Sequence, residues 1–284
     1  MTETIAAMVV TYNRLDLLKE TIAGLRGQSR KLDEIIIINN SSTDGTLAWL
    51  EQQTDLTVIT QPNCGGAGGF ARGIGYGFEH GYDWIWCMDD DVVPMPDCLE
   101  QLLGISPSSR IRAPFRFEAA SDALPQDTLE FNFTNPFKSL WKKMITPQSI
   151  LGAKTLDAEG LTFEGPLLHR SVIESIGLPD ARFFIFADDS DYFIRAHRAG
   201  YRALIIIAAR MERKIPYVTR TSPPWKAYYE LRNIILLDMR YGTFPVKLVR
   251  PLYYFLKILR NTGDSATRKS LLKGFLHGIA QRLE

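Results

Sequence analysis

The sequence has few cysteines and no long apolar run. Its three cysteines, Cys64, Cys87 and Cys98, lack C-x-x-C spacing, so neither a disulfide framework nor a zinc site is predicted. No run of about 18 or more apolar residues is present, which argues against a membrane-spanning helix. The first residues also lack the basic, apolar and small-residue order of a secretory signal. We therefore expect a cytoplasmic protein.

The net charge of the chain is also close to zero. The 284 residues carry a formal net charge of +1, which gives no reason to expect a nucleic-acid partner. A hydrophobic content of 45% is typical of a globular chain with a sizeable core. The charge is uneven, because residues 245–284 contain eight Lys or Arg and only two acidic residues. The sequence thus predicts an acidic body with a basic C-terminal segment.

Four short apolar runs, 5–10, 35–38, 56–59 and 84–88, are each followed by a polar segment. Uninterrupted apolar residues are typical of strands that are buried on both faces in a parallel sheet covered by helices. Ligands of such sheets bind at the carboxyl ends of the strands. We therefore expect the four polar segments to meet in one crevice. These segments are residues 11–14, 39–46, 63–72 and 89–91.

Three consecutive aspartates, Asp89, Asp90 and Asp91, follow the fourth run. Side chains alternate along an extended chain, so Asp89 and Asp91 should project to one side and Asp90 to the other. Unpaired carboxylates are costly to bury. Two convergent carboxylates suit Mg2+ or Mn2+, which takes further ligands from water and substrate phosphates. The alternative is a solvated acidic loop or a helix N-cap near residues 96–103.

Five glycines lie between positions 65 and 73. Glycine permits close approach of a ligand, and the N–H groups at a helix start can bind phosphate. The spacing matches neither G-x-G-x-x-G nor a Walker motif. We interpret this segment, which includes Gly68, as a loop facing a pyrophosphate, with Arg72 as a phosphate partner. The alternative is that the glycines serve helix packing.

A second acidic segment, 188–191, follows an aromatic run and precedes a helical pattern. Asp188 or Ser190 could be an N-cap, which leaves Asp189 as the candidate general base. A further helix is predicted to begin near Trp225. Its residues 228–233 could face the site, or they could pack against the body of the protein.

Periodicity fades between residues 112 and 150, which is typical of a variable insert or lid. Its aromatic residues could touch an acceptor or a membrane, although core packing is the favoured interpretation. They are Phe131, Phe133, Phe137 and Trp141.

After Pro245, leucine and phenylalanine residues recur on one helix face and basic residues lie around the other. Such helices can lie in a membrane interface, attracted by anionic lipids, and can equally dock on the body or on a partner. We favour peripheral contact with the cytoplasmic face of the inner membrane.

In this order the motifs resemble the GT-A glycosyltransferases of family 2, in particular bacterial galactofuranosyl- and rhamnosyltransferases. The resemblance spans about residues 5–233 and rests on segments 9–14, 39–46, 63–70, 89–91, 183–189 and 228–233. It implies an α/β, Rossmann-like GT-A fold with a mostly parallel sheet, helices on both faces and a C-terminal helical extension. It divides the chain into a nucleotide-sugar-binding half over 1–112, an acceptor-binding, catalytic half over 113–220, and a basic amphipathic extension over 221–284.

The resemblance also implies residue roles. Asp91, helped by Asp89, would bind Mn2+ or Mg2+, and Asp189 is similar in position to the family's catalytic base. The family often has Asp where Asn39 stands, and many members place a metal-binding His after the last strand, which residues 208–213 lack. The donor pocket would comprise Thr11, Tyr12, Arg14, Asn39, Asp44, Gly68, Arg72, Asp89 and Asp90.

The implied activity is an inverting, metal-dependent transfer of galactofuranose or rhamnose in cell-surface polysaccharide synthesis. The donor would be a UDP or dTDP sugar, and the acceptor a saccharide or lipid-linked saccharide. Two alternatives stay open. A sugar-1-phosphate nucleotidyltransferase would have a glycine-rich loop near the N-terminus, where residues 9–14 have no glycine. A catalytically silent nucleotide-sugar-binding protein would be consistent with the missing His.

Overall fold

The structure, a computed structural model, describes residues 3–105, 109–119, 121, 123–216, 222–260 and 264–283. The predicted boundary between residues 220 and 221 lies outside them. The strands are β1 (Ile5–Thr11), β2 (Glu34–Asn39), β3 (Thr57–Thr60), β4 (Trp84–Asp89), β5 (Val92–Pro94), β6 (Ile111–Phe117), β7 (Thr128–Phe131), β8 (Trp141–Met144), β9 (Thr155–Ala158), β10 (Leu167–His169) and β11 (Ala203–Arg213). The helices are α1 (Leu15–Arg26), α2 (Thr46–Leu50), α3 (Gly65–Glu79), α4 (Cys98–Leu103), α5 (Pro147–Ile150), α6 (Arg170–Ile176), α7 (Asp188–Arg198), α8 (Pro224–Tyr241), α9 (Phe244–Arg260) and α10 (Ser265–Ile279).

The four predicted N-terminal strands form a parallel unit in the order β3-β2-β1-β4. All seven residues of β1 are buried. Met8 and its alternate neighbours pack with residues of α3, whereas Val9 and its alternate neighbours pack with residues of α1. Each fully buried aliphatic side chain contributes about 1.5–3 kcal/mol. The uninterrupted apolar pattern therefore reflects helices on both faces of the sheet.

The rest of the main sheet continues from β4 through β10, β6, β11 and β5, with β9 also paired to β11. Among the described residues this sheet has nine strands. Six of them run in one direction, while β5, β9 and β10 run against their neighbours. The predicted mostly parallel sheet is confirmed.

The prediction of a variable insert over residues 112–150 is wrong at its start, because β6 is a central strand of the main sheet. Two buried arginines interrupt its apolar pattern. Arg112 donates to the carbonyl oxygens of Leu102 and Ser109, and Arg116 pairs with acidic side chains from other segments. Because these partners come from other segments, the apolar pattern of the strand alone does not show that the arginines can be buried. The later part of the region forms the separate hairpin of β7 and β8.

The glycine-rich segment is the first part of α3, and its prediction as a loop is wrong. A side chain at Gly69 or Gly73 would overlap Val10 or Met8, respectively, so these glycines let α3 lie close against β1. Gly65 has a φ of 73°, and a side chain there would overlap the backbone of Phe184. Helix packing, the alternative interpretation, accounts for these three glycines.

The C-terminal region forms three helices, of which α8 packs against both α9 and α10. Within the described part of the chain, each helix is too short or too polar to cross a bilayer. Arg250 of α9 forms a buried ion pair with Asp238 of α8. The opposite face of α9 is apolar and exposed, with Phe244 at 78% and Leu248 at 63% exposure.

Candidate active site

A cavity of about 820 Å3 lies at the carboxyl ends of the strands. Its lining includes Arg14 after β1, Gly66 at the start of α3, Asp89 at the end of β4 and Asp91 just beyond it. Three of the four predicted segments therefore converge there. The fourth, residues 39–46, supports the wall from behind, since the Asn40 amide donates to the carbonyl oxygen of Gly65 at 3.1 Å.

Arg14 holds the aspartate triplet in place. Its Nη1 lies 3.1 Å from Asp90 Oδ1 and 3.2 Å from Asp91 Oδ2. The hydroxyl of Thr11 donates to Asp90 Oδ2 at 2.8 Å. Asp90 is thus fixed away from the cavity, while Asp89 and Asp91 line it. This division follows the alternation expected of an extended chain.

Asp89 and Asp91 repel each other in a poorly solvated place. Burial, followed by the charge of Asp91, raises the pKa of Asp89. Burial and the charge of Glu164 raise the pKa of Asp91 to about 6, against the opposing effect of Arg213 and Arg14. Asp91 Oδ1 is buried and has no hydrogen-bond partner among the described residues. A divalent cation would relieve both the repulsion and the unpaired oxygen.

The residues present fit Mg2+ or Mn2+ held by two carboxylates. No group of three or more His, Cys, Asp or Glu side chains able to hold a metal occurs in the described ranges. An ion at Asp89 and Asp91 would therefore need further oxygen ligands from substrate phosphates or water, as Mg2+ commonly does.

Glu164 and Arg213 are cavity residues that the sequence reasoning missed. Glu164 pairs with Arg213 and with Arg116, whose Nη2 lies 2.9 Å from Asp127 Oδ2. Residues 208–213, predicted to follow the last strand, lie within β11, which ends at Arg213, and Arg213 pairs in register with Val92. A guanidinium thus lies on this wall of the cavity. The only indication in the sequence was that these two charged residues stand beside or within apolar runs, where a charge needs a partner.

Another part of the cavity lining is a short segment with unusual backbone angles. Phe184, Phe186 and Ala187 have φ values of 65°, 71° and 67°, which side-chain-bearing residues rarely adopt. Two buried residues of α8 hold the segment. Asn233 Nδ2 donates to the carbonyl oxygens of Phe183, Ile185 and Phe186, and Arg232 Nη2 donates to that of Phe183. Residues 232 and 233 therefore support the loop and are not part of the cavity wall.

This segment leads directly into Asp188 and Asp189 at the start of α7, and both line the cavity. Burial raises the pKa of Asp189 to about 6, although the backbone N–H of Ser190 donates to its Oδ1 at 2.6 Å. Burial and the charge of Asp189 raise the pKa of Asp188 to about 8. Burial and mutual repulsion therefore raise the pKa of both carboxyls above that of an ordinary aspartate, so the pair holds a proton at a higher pH than a solvated pair would.

Other predicted donor residues lie away from the cavity. Asn39 is fully buried and bonds Ser42 and Thr60. Asp44 accepts from the backbone N–H groups of Leu15 and Thr46, which fixes the starts of α1 and α2. The structure thus gives these two residues a supporting place in the loops.

Three more predicted donor residues do not line the cavity. Gly68 lies against Cys64, Arg72 is exposed on α3, and Tyr12 is 46% exposed. The donor roles predicted for these residues stay predictions. Of the residues predicted for the donor pocket, the structure brings together Arg14, Asp89 and Asp91 at the cavity, with Thr11 and Asp90 directly behind them.

Comparisons with known proteins agree with this geometry. The model of the family "Glycosyl transferase family 2" matches residues 7–105, which contain the aspartate triplet. Galactofuranosyltransferase GlfT1 of Mycolicibacterium smegmatis is 27% identical over 202 residues, covering 70% of this chain and 67% of the relative. The chain spans about two thirds of the length of the GlfT1 relatives it matches. The predicted resemblance is confirmed.

Solved structures show the same fold at low sequence identity. GalNAc-T7 with UDP, GalNAc and Mn2+ has a TM-score of 0.66 at 13% identity and covers 98% of this chain and 56% of its own. Mannosyltransferase PcManGT from Pyrobaculum calidifontis, in complex with GDP-Man and Mn2+, has a TM-score of 0.56 at 15% identity. It covers 98% of this chain and 87% of its own. The predicted GT-A fold is confirmed.

Proposed function

We propose that this chain is an inverting, metal-dependent glycosyltransferase that moves galactofuranose from a UDP donor to a saccharide acceptor. The observation that carries the proposal is that Asp89, Asp91 and Asp189 line one cavity. The GlfT1 relatives favour galactofuranose, and the neighbour with bound UDP favours that nucleotide over dTDP. The division into a donor half, an acceptor half and a C-terminal extension is part of this proposal.

The donor wall would bind the diphosphate. Asp89 and Asp91 would hold the cation, and Arg14 keeps Asp90 and Asp91 in place through its two ion pairs. A bound Mg2+ or Mn2+ supplies positive charge that stabilises the departing diphosphate. The guanidinium of Arg213 adds positive charge on the same wall, close enough to lower the pKa of Asp91.

The acceptor wall would activate the nucleophile. An acceptor hydroxyl loses its proton to a carboxylate oxygen of Asp189 as its oxygen bonds to the anomeric carbon of the donor sugar. The bond between that carbon and the diphosphate oxygen breaks, and both electrons leave with the nucleoside diphosphate. A single displacement inverts the anomeric configuration and needs no covalent intermediate. A pKa of about 6 leaves Asp189 mostly deprotonated at neutral pH.

A membrane surface is the proposed location of the acceptor. The exposed apolar face of α9, defined as Phe244, Leu248, Leu252, Leu256 and Leu259, is accompanied by the exposed basic residues Lys257 and Arg260. No acidic residue occurs in the sequence from 239 to 263. Anionic lipids attract such a helix at about 1 kcal/mol per basic residue near the surface. A lipid-linked saccharide would then be presented beside the enzyme.

Calorimetric titration with UDP, dTDP and GDP, each with and without Mn2+, tests the donor. Metal-dependent binding of UDP, followed by sugar transfer to a saccharide with inverted configuration, is the expected result. Binding without hydrolysis or transfer would identify the silent nucleotide-sugar-binding protein. Release of pyrophosphate from a nucleoside triphosphate and a sugar 1-phosphate would identify a nucleotidyltransferase instead.

A further inference from the structure

A second cavity, of about 850 Å3, lies next to the proposed active site. Residues 131–135, 138, 139, 141 and 142 line it, and we call it the hairpin groove because it is built on β7 and β8. Ser139 and Trp141 line both the groove and the active-site cavity. The two spaces are therefore neighbours that share these two residues in their linings.

The junction lies on the acceptor side. Trp141 meets the ring of Phe186 edge to face, with 6.4 Å between ring centroids. Phe186 belongs to the segment that leads into Asp189, whereas the donor-side residues Arg14 and Asp91 do not line the groove. A molecule in the hairpin groove would thus approach the cavity beside the segment that leads into the proposed base.

The lining combines aromatic faces with polar groups. Phe131 and Phe133 lie 5.7 Å apart between ring centroids and are half-buried, as is Trp141. The groove is also lined by Lys138 and Ser139, which are exposed. Flat apolar rings interleaved with hydrogen-bonding groups match a saccharide, which has an apolar face of C–H groups and a rim of hydroxyls.

The groove is also held in shape before any ligand arrives. The buried amide of Asn132 donates to the carbonyl oxygens of Asn135 at 2.9 Å and Ser139 at 3.1 Å. Arg250 of α9 donates to the carbonyl oxygens of Asn132, Asn135 and Lys138. A preformed site loses less conformational entropy on binding. The same contacts attach the groove to the helix whose opposite face is apolar and exposed.

We infer that the hairpin groove binds the saccharide portion of the acceptor, with Trp141 as the ring on which a sugar stacks at the entrance to the active-site cavity. This inference rests on the proposed glycosyltransferase function. The sugar nearest Trp141 would carry the attacking hydroxyl into reach of Asp189. Sugars farther from the reaction would lie along Phe131 and Phe133, toward α9.

The test uses three neutral probes: methyl β-D-galactofuranoside, methyl α-L-rhamnopyranoside and methyl N-acetyl-β-D-glucosaminide. Saturation-transfer NMR on the full chain should show binding of at least one probe. Trp141→Ala should weaken that binding at least tenfold, and Trp141→Tyr should restore most of it. Phe137→Ala is the matched control, because Phe137 lies on the same hairpin, is 85% exposed and does not line the groove.

UDP titration with Mn2+ separates this inference from the proposed function. Trp141→Ala should bind UDP as the unaltered protein does, which also shows that the variant is folded. The inference is overturned if no probe binds the unaltered protein, if Trp141→Ala binds the probes equally well, or if Phe137→Ala loses as much affinity. Failure of UDP to bind would count against the proposed donor, while the glycoside result is read independently.

Discussion

The side-chain nitrogen of Asn233 lies 2.7 Å from the carbonyl oxygen of Phe186, a residue held at a φ of 71°. Asn233 is fully buried on α8, and Phe186 lies on the cavity wall three residues before Asp189. Helix α8, in the C-terminal region, thereby fixes the backbone of the segment that carries the proposed base.

Replacing Asn233 with Ala should lower kcat at least tenfold and leave the affinity for UDP unchanged. The variant removes the side-chain donor of the Ile185 and Phe186 carbonyl oxygens, while that of Phe183 keeps its bond from Arg232, and each unsatisfied buried group costs about 1–3 kcal/mol. The relaxed segment would misplace Asp189, so steady-state kinetics should show a fall in kcat with little change in the KM for the donor. An equal loss of donor affinity would mean that α8 supports the whole cavity.

Replacing Asp189 with Asn should reduce transfer by about 10²–10⁴-fold while sparing the binding of UDP, because the amide cannot accept the acceptor's proton. Asp188→Asn is the matched control. Burial and the charge of Asp189 raise the pKa of Asp188, which favours its neutral form, and an amide resembles a neutral carboxyl. Its loss of rate should be much smaller. Similar losses of rate in both variants would contradict the assignment of Asp189 as the general base.

Transfer should fall as the pH is lowered through about 6. The raised pKa of Asp189 protonates the base at a pH where an ordinary aspartate, with a pKa near about 4, stays ionised. Burial is the main cause, and the negative charges of Glu164 and Asp127 add to it. A pH profile of kcat for Glu164→Gln should have its midpoint moved to lower pH. An unchanged midpoint would show that another group limits the rate.

Removing Asp91 should uncouple nucleotide binding from the metal. Mn2+ strengthens UDP binding to the unaltered protein by some factor, and in Asp91→Asn that gain in affinity should fall to about a tenth or less. The reason is that one of the two protein carboxylates is lost. Calorimetry with and without EDTA measures the difference. Asp97→Asn is the control, because Asp97 is exposed and outside the cavity. Full Mn2+ dependence in Asp91→Asn would place the ion elsewhere.

Charge on the exposed face of α9 should prevent membrane contact. Leu248→Glu should reduce co-sedimentation with vesicles of anionic phospholipid at least fivefold, and the binding of the unaltered protein should weaken as salt is raised. Leu151→Glu is the control, because Leu151 is 86% exposed but lies outside the helical extension. Equal sedimentation of the two variants would argue against a lipid surface.

The sequence contained enough information for the parts of the fold that depend on local pattern. The apolar runs of β1, β2 and β4 and the alternation within the aspartate triplet predict the donor wall directly. Glu164 and Arg213 could not be found in this way, because their pairing brings together side chains 49 positions apart. Strand β6 was not predicted because it contains the charged residue Arg116. In the structure Arg116 is buried and forms ion pairs with Asp127 and Glu164.

The glycine-rich segment shows a different limit. Close approach to a ligand and close approach to a neighbouring strand require the same residue, so sequence alone does not separate the two. In the structure, Gly69 and Gly73 serve packing against β1, and Gly66 lines the cavity.

At the start of α3, the missing side chain of Gly65 lets the Ala67 N–H reach the carbonyl oxygen of Phe184 at 3.1 Å. The two sides of the proposed reaction are therefore joined main chain to main chain. The spacing between the aspartate triplet and Asp189 then depends on main-chain contacts, to which the side chains of the hairpin groove do not contribute. Substitutions in the hairpin groove can alter which sugar is accepted without altering the line of attack, so relatives could diverge in substrate while retaining stereochemistry.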